Sequence, residues 1–157
     1  MKLIYFTCVA LVSFSFFSAA KTVEVKSVKV IQTAQLVADC ANEKWNKASL
    51  FTLKKNNFVL TDNETRDELA LQLLNCLASP DPELRDGIAF EALSFWLREK
   101  QLSSTAHQEM FKVLMEAVSL QVNDEYGVYQ PFAILVLAEL ARVDRLSPYF
   151  TKNKERF

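Results

Sequence analysis

Glycine occurs at only two places in this chain of 157 residues, Gly87 and Gly127. Tight turns between strands draw on residues that tolerate positive φ, and glycine is the foremost of them. A sheet-rich fold of this length needs many such turns. Half of the residues are apolar, so core material is plentiful while sharp corners are scarce. The sequence therefore predicts an all-α protein.

The first twenty residues, MKLIYFTCVALVSFSFFSAA, stand apart from the rest. Lys2 precedes an uncharged apolar stretch from Leu3 to Phe17, followed by Ser18, Ala19 and Ala20. A basic start, an apolar middle and small residues before a cut describe a secretory signal peptide, with cleavage expected after Ala20. The stretch is shorter than the roughly 20 apolar residues of a membrane anchor. Cys8 follows Tyr5, Phe6 and Thr7, without the small neighbours of a lipid-modified cysteine. Residues 1–20 are thus read as a cleaved leader and the protein as exported, periplasmic or secreted, with no membrane span in its mature part. Acids slightly outnumber bases, which gives no electrostatic reason to expect nucleic acid or anionic lipid as a partner.

Two cysteines remain beyond the leader, Cys40 and Cys76. An oxidising compartment permits a bridge between them. Each lies in a helical-looking segment among apolar neighbours, where free cysteine serves as a small core residue. The residues alone favour the free thiols and keep the Cys40–Cys76 disulfide as the alternative.

Residues 21–60 read as an N-terminal helical segment. KTVEVKSVKV, Lys21 to Val30, suits a short strand or a frayed helix start. Between Lys29 and Asn46, Ile31, Ala34, Val37, Ala38 and Cys40 recur at helical spacing, and a further short helix carries Trp45, Leu50 and Leu53. Thr61-Asp62-Asn63-Glu64 matches a capping box with Thr61 as the cap. Ala70, Leu73, Leu74 and Leu77 then share one face, in a helix that ends before Pro80.

The stretch SPDPELRDGIAFEALSFWL, Ser79 to Leu97, predicts the next helix, from Pro82 to Lys100. Asp81 suits the N-cap, Pro82 the first helical position, and Glu83 the positive end of the helix dipole. Leu84, Ile88, Ala92 and Phe95 form one apolar row, and Ala89, Leu93 and Trp96 the adjacent one. Thr105 with Gln108 reads as the cap of a following helix, with Met110, Val113, Leu114, Ala117 and Val118 on its buried face. After a loop QVNDEYG, PFAILVLAELA is apolar except at Glu139 and predicts a second nearly surrounded helix. A further helix is expected to begin near Ser147.

The two helix pairs superimpose at a constant offset. Leu73 and Leu74 fall on Ala117 and Val118, and Ala89, Ala92, Leu93 and Trp96 on Ala133, Val136, Leu137 and Leu140. Two helices per unit at this period is the mark of stacked helical repeats. LLNCLASPDPELRDGIAFEAL resembles the consensus of HEAT repeats. LRDGIAFEALSFWL together with PFAILVLAELARVDRL resembles a mostly bacterial family called domain of unknown function 2785, from about Phe51 to Phe157. The resemblance implies a HEAT-like α-solenoid of antiparallel helix pairs over residues 61–157, cut short at the C-terminus, and it implies no reaction. Where that family carries an Arg-Ser pair before the Phe of the second block, this chain has Gln130-Pro131.

Chemistry is sparsely provided for. His107 is the sole histidine, expected near a helix start and facing solvent, and no nucleophile setting accompanies it. Two cysteines and one distant histidine do not make a zinc site, and isolated glycines make no phosphate loop. No cofactor is expected. Among the acids, Asp86 and Glu91 are the candidates for an acid-dependent hydrolase or lyase, provided that burial raises one of them. In stacked repeats an arginine placed like Arg85 reaches acids in the neighbouring turn and locks one unit to the next. Arg85, Asp86 and Glu91 are therefore read first as inter-repeat or partner-binding residues. The functional expectation is an exported scaffold that binds a protein or peptide, with self-association through an uncapped end as a further outcome.

Overall fold

The computed structural model describes residues 30–145. They form β1 (Val30–Gln32), α1 (Thr33–Asp39), α2 (Lys47–Lys55), α3 (Asn63–Cys76), α4 (82–98), α5 (Ser104–Ser119), β2 (Gln121–Asn123) and α6 (Tyr129–Arg145). The leader, Cys8 and the helix expected from Ser147 lie outside the described residues. Among the described residues no helix is long and apolar enough to cross a membrane.

Caps set where the helices begin. The side chain of Asn46 accepts from the Ser49 amide at 3.0 Å to start α2. At α3 the cap is Asp62, whose Oδ2 accepts from the Thr65 amide at 2.6 Å. Thr61, the expected cap, is displaced because a carboxylate is the stronger acceptor at a positive helix end. Asp81 caps α4 as expected, accepting from the Glu83 amide at 3.0 Å with Pro82 in the first turn. Ser103, not Thr105, caps α5 through the Ala106 amide at 3.1 Å.

Helix α4 is not uniform. Pro82–Leu84 is α-helical, Arg85–Phe90 is π-helical, and Glu91–Arg98 returns to α. A π-turn inserts one residue into the ladder and is favoured where tertiary contacts reward the altered register. The hydrophobic pattern, compatible with either winding, did not foretell it.

The helices pack as neighbours of like kind. α1 lies on α3 and α3 on α5, while α2 lies on the π-segment of α4 and α4 lies on α6; the rows are joined by α3 against α4 and α5 against α6. Leu73, Leu74, Ile88, Leu93, Trp96, Leu97, Met110 and Leu114 are all fully buried between them. The offset seen in the sequence has a structural counterpart: Ala89 and Ala133, Ala92 and Val136, Trp96 and Leu140 occupy matching buried positions.

The last pair departs from expectation. Ile134 and Leu135 on α6 are 55 % and 46 % exposed, so α6 is covered on one side rather than surrounded. Val113 on α5 is exposed and Val118 only half-buried. α3 buries Leu69, Ala70, Leu73 and Leu74 as fully as α4 buries its own core residues. α3 and α4 are thus enclosed alike. Among the described residues α6 has one helix neighbour fewer than α4, and apolar composition cannot reveal that.

Two tethers join parts far apart in the chain. β1 and β2 pair in parallel, Ile31 opposite Val122, and the Thr33 hydroxyl donates to the Asn123 carbonyl at 2.9 Å. Ile31 thus belongs to a strand, not to the expected helix, and QVN is a strand, not a loop. Cys40 and Cys76 form a disulfide with Cα atoms 4.6 Å apart, overturning the preference for free thiols. Both residues sit at the C-terminal ends of adjacent helices, which brings their Cα atoms within bridging distance.

Helix ends solve the glycine shortage without glycine. Lys100 has φ 54°, and Gln101 and Lys100 donate backward to the Trp96 and Leu97 carbonyls at 2.9 and 3.1 Å. Asn57, with φ 53°, ends α2 in the same way, with Phe58 donating to Leu53. Both are Schellman stops.

Candidate functional site

The row formed by α2, α4 and α6 gathers the residues singled out in the sequence. Arg85 begins the π-segment, and its guanidinium is nearly buried, with 14 % of the side chain exposed. It donates through Nε and Nη2 to both carboxylate oxygens of Asp86, at 2.7 and 3.2 Å, and through Nη1 to the Ser79 carbonyl at 3.1 Å. Its flat face lies 5.0 Å from the ring centroid of Phe132 on α6. Arg85 does link the two pairs, but through a cation–π contact, not through acids of the neighbouring turn. The reason is the adjacent Asp86, which occupies the guanidinium edge and leaves only its face for α6.

Glu91 points the other way. Its carboxylate pairs with Lys54 of α2 at 2.9 Å and remains half exposed. Lys54 reaches it across Gly87, where an added Cβ would stand 3.2 Å from the ammonium. Lys47 of the same helix pairs with Asp81 at 2.6 Å and Glu83 at 3.4 Å, and the Lys47 hydrogen bond holds the Asp81 carboxyl below its usual range. On the α6 side, both carboxylate oxygens of Glu139 accept from Arg98, and Oε2 also accepts from Arg142 at 2.9 Å. The Arg98 hydrogen bond is the main cause of a Glu139 pKa lowered to about 2.

Asp86 and Glu91 are thus each engaged by a different cation, Arg85 on one side and Lys54 on the other. Neither is buried; half of each side chain meets solvent. The desolvation that a general acid needs is absent at both. Among the described residues no group of three or more His, Cys, Asp or Glu side chains could hold a metal ion. His107 is half-buried rather than facing solvent. Its Nδ1 lies 2.8 Å from the Ser103 carbonyl, which only accepts, so that nitrogen carries the proton.

Between the two sets of straps runs a shallow groove of about 360 Å³ along α4, lined by Phe90, Glu91, Ser94, Phe95, Arg98 and Glu99. These positions recur four apart in adjacent couples, so they form one stripe of the helix. Phe95 leans on Phe58 with centroids 6.3 Å apart, and Phe90 meets Phe132 edge-on at 6.0 Å. Ser94 is only 5 % exposed, and its Oγ is buried with no hydrogen-bond partner among the described residues. Of these six residues the sequence singled out Glu91 as a candidate site residue and Phe95 as a core position. The others carry no signal in the sequence that sets them apart from the rim of an amphipathic helix.

No family model, curated protein or solved structure matches this chain. The site stands on its own geometry.

Proposed function

We propose that this protein is an exported, non-enzymatic scaffold of HEAT-like helix pairs that binds a protein or peptide along the row formed by α2, α4 and α6. The observation that carries the reading is the row itself. α2, α4 and α6 are strapped side by side by Lys54–Glu91, Arg85–Phe132 and Arg98–Glu139, with a groove between the straps. Cross-helix straps of this kind hold an extended surface in one shape, which is what a repeat scaffold presents to a partner. The pattern of the leader accords with export. The paired and half-exposed state of Asp86 and Glu91 speaks against the hydrolase or lyase alternative.

The test is capture from an envelope extract by the wild-type chain, beside a variant with Arg98→Glu and Glu99→Lys. Retention of one stoichiometric partner by the wild type alone is the expected result. Hydrolysis of generic ester, amide or glycoside substrates that Asp86→Asn or Glu91→Gln abolishes would replace this reading with the enzymatic one.

A second reading, self-association, is favoured by Ile134 and Leu135 on the open side of α6. Apolar residues at such an end are suited to a further helix pair or a second copy. Sedimentation that becomes concentration-dependent, and that Leu135→Lys abolishes, would support it.

A further inference from the structure

We infer that two copies of this chain close into a two-fold dimer through the α5–α6 face, with α6 of one copy antiparallel to α6 of the other. This rests on the self-association reading above and assigns its surface, its partner and its symmetry.

The face is where the stacking of helices runs out among the described residues. The offset that relates the two helix pairs carries Phe90 to Ile134, and Asp67 and Leu71 to Phe111 and Met115. In the α3–α4 pair this side is taken. Phe90 meets Phe132 of α6, and Asp67 accepts from the Ser103 amide at the start of α5, at 3.1 Å. Their counterparts meet no described helix: Phe111 is 52 % exposed, Met115 40 % and Ile134 55 %. A spacing of four puts Phe111 with Met115, and Ile134 with the exposed Ala138, on one side of each helix. Phe132 and Glu139 lie on the other side of α6, against α4.

What covers the face follows from where apolar side chains are exposed. Of the seven large ones left exposed among the described residues, five belong to α5 and α6 and none to α1 or α2. At the opposite end α1 and α2 turn Gln35, Asp39, Lys47 and Lys55 to solvent, the polar outer surface of a capping unit. A head-to-tail contact would set the apolar face on that polar one and would repeat without closing. The surface of this chain that matches the apolar face is the same face of a second copy. Two helices of 16 and 17 residues, each about 25 Å long and about 10 Å wide, offer on the order of 500 Å² in outline, and more with their relief. Stable interfaces begin near ~600 Å² from each partner, so the face is large enough.

Charge sets the orientation. The chain entering α6 carries Asp124 and Glu125, and the last turn of α6 carries Arg142 and Arg145. Glu125 and Arg145 are exposed, and neither has an ion pair among the described residues. A two-fold axis running across the helices lays α6 on α6 in opposite directions. Each Arg145 then approaches the Glu125 end of the other copy. An axis running along the helices would instead stack basic end on basic end, which is repulsive.

The experiment is sedimentation velocity over a wide concentration range, on the protein recovered from expression of the full chain. A monomer–dimer equilibrium that stops at the dimer is expected. Phe111→Lys and Ile134→Lys are each expected to raise the dissociation constant roughly tenfold or more. Both side chains are exposed, so the melting temperature of the dilute monomer should stay where it is, which separates a lost contact from a damaged fold. Glu125→Arg and Arg145→Glu are each expected to weaken the dimer several-fold, and the double variant to restore it. Association that grows past the dimer, indifference to Phe111→Lys and Ile134→Lys, or a double charge variant no tighter than its single parents would each overturn this assignment alone. A monomer at every concentration would overturn it together with the self-association reading.

Discussion

The indole Nε1 of Trp96 donates to the backbone carbonyl of Phe58 at 2.9 Å, and the two rings meet edge to face with centroids 6.4 Å apart. Phe58 holds its carbonyl there because it follows Asn57 in a second left-handed conformation, φ 56°. One side chain of α4 therefore both fills the core and fixes the chain leaving α2.

Trp96→Ala removes a fully buried indole and is expected to cost ~3–5 kcal/mol. Trp96→Phe keeps much of the packing but orphans the Phe58 carbonyl, at about 1–3 kcal/mol. Ser94→Ala, two residues away, removes an unsatisfied hydroxyl and is expected to be neutral or slightly stabilising. Urea denaturation of the three variants checks the order; a Ser94→Ala loss matching that of Trp96→Ala would contradict the orientation of α4.

Lys100→Gly is expected to stabilise the protein by roughly 1 kcal/mol. Lys100 pays the Cβ penalty of φ 54° at a Schellman stop, where glycine has none. Among the described residues the Lys100 side chain makes no hydrogen bond or ion pair in return. The midpoint of urea unfolding should rise at unchanged slope.

The Cys40–Cys76 bridge closes a loop of 36 residues, a span for which loss of a crosslink costs ~2–4 kcal/mol. Cys40→Ala with Cys76→Ala should lower stability by that amount. Hydrogen exchange should accelerate first in α1, which buries only Thr33 of its own residues. Unchanged protection in α1 would mean that its packing on α3 suffices without the bridge.

Glu139 makes stability depend on acid. Its folded pKa of about 2 lies below the ordinary 4.5, mainly because of the Arg98 hydrogen bond. A depressed carboxyl contributes stability that is fully present above pH 4.5 and is lost as pH falls toward 2. Wild type should therefore lose more stability than Glu139→Gln between pH 5 and pH 2. Thermal melts across that window read the difference, and parallel curves would show that the Arg98 contact is not felt in folding.

Arg85 and Phe132 should be coupled. A double-mutant cycle of Arg85→Leu and Phe132→Leu is expected to show ~0.5–2 kcal/mol of interaction, the range for a partly desolvated cation over a ring. Additive losses would leave the two pairs joined by packing and by Arg98–Glu139 alone.

Much of the fold was legible because helices announce themselves locally. Asp81 and Pro82 mark a start, and the buried row of Ala89, Ala92, Leu93 and Trp96 follows from spacing alone. What was missed depends on partners distant in the chain or on local winding that periodicity does not encode. β1 needs β2, some ninety residues on, and three-residue strands leave no pattern of their own. Among the described residues no helix covers the outer side of Ile134 and Leu135, and an apolar run is indifferent to that. The π-turn at Arg85–Phe90 buries Ile88 and Ala89, the positions the helical pattern also buries, and so leaves no trace in the pattern. At the site, Arg85 was expected to reach acids of the neighbouring turn; its contact with Phe132 instead could not be read without knowing that Asp86 already holds its edge. The groove went unseen because its six residues look, one by one, like the ordinary rim of an amphipathic helix.

The parallel pairing of β1 with β2 has a consequence for how such a domain changes over time. A run of helix pairs ordinarily lengthens by duplication, each new unit stacking on the last. Here Thr33 grips the Asn123 carbonyl from the opposite end of the described chain, so an extra pair inserted between them would pull the clasp apart. The clasp ties the start of α1 to the chain leaving α5, so loosening either strand is expected to loosen both.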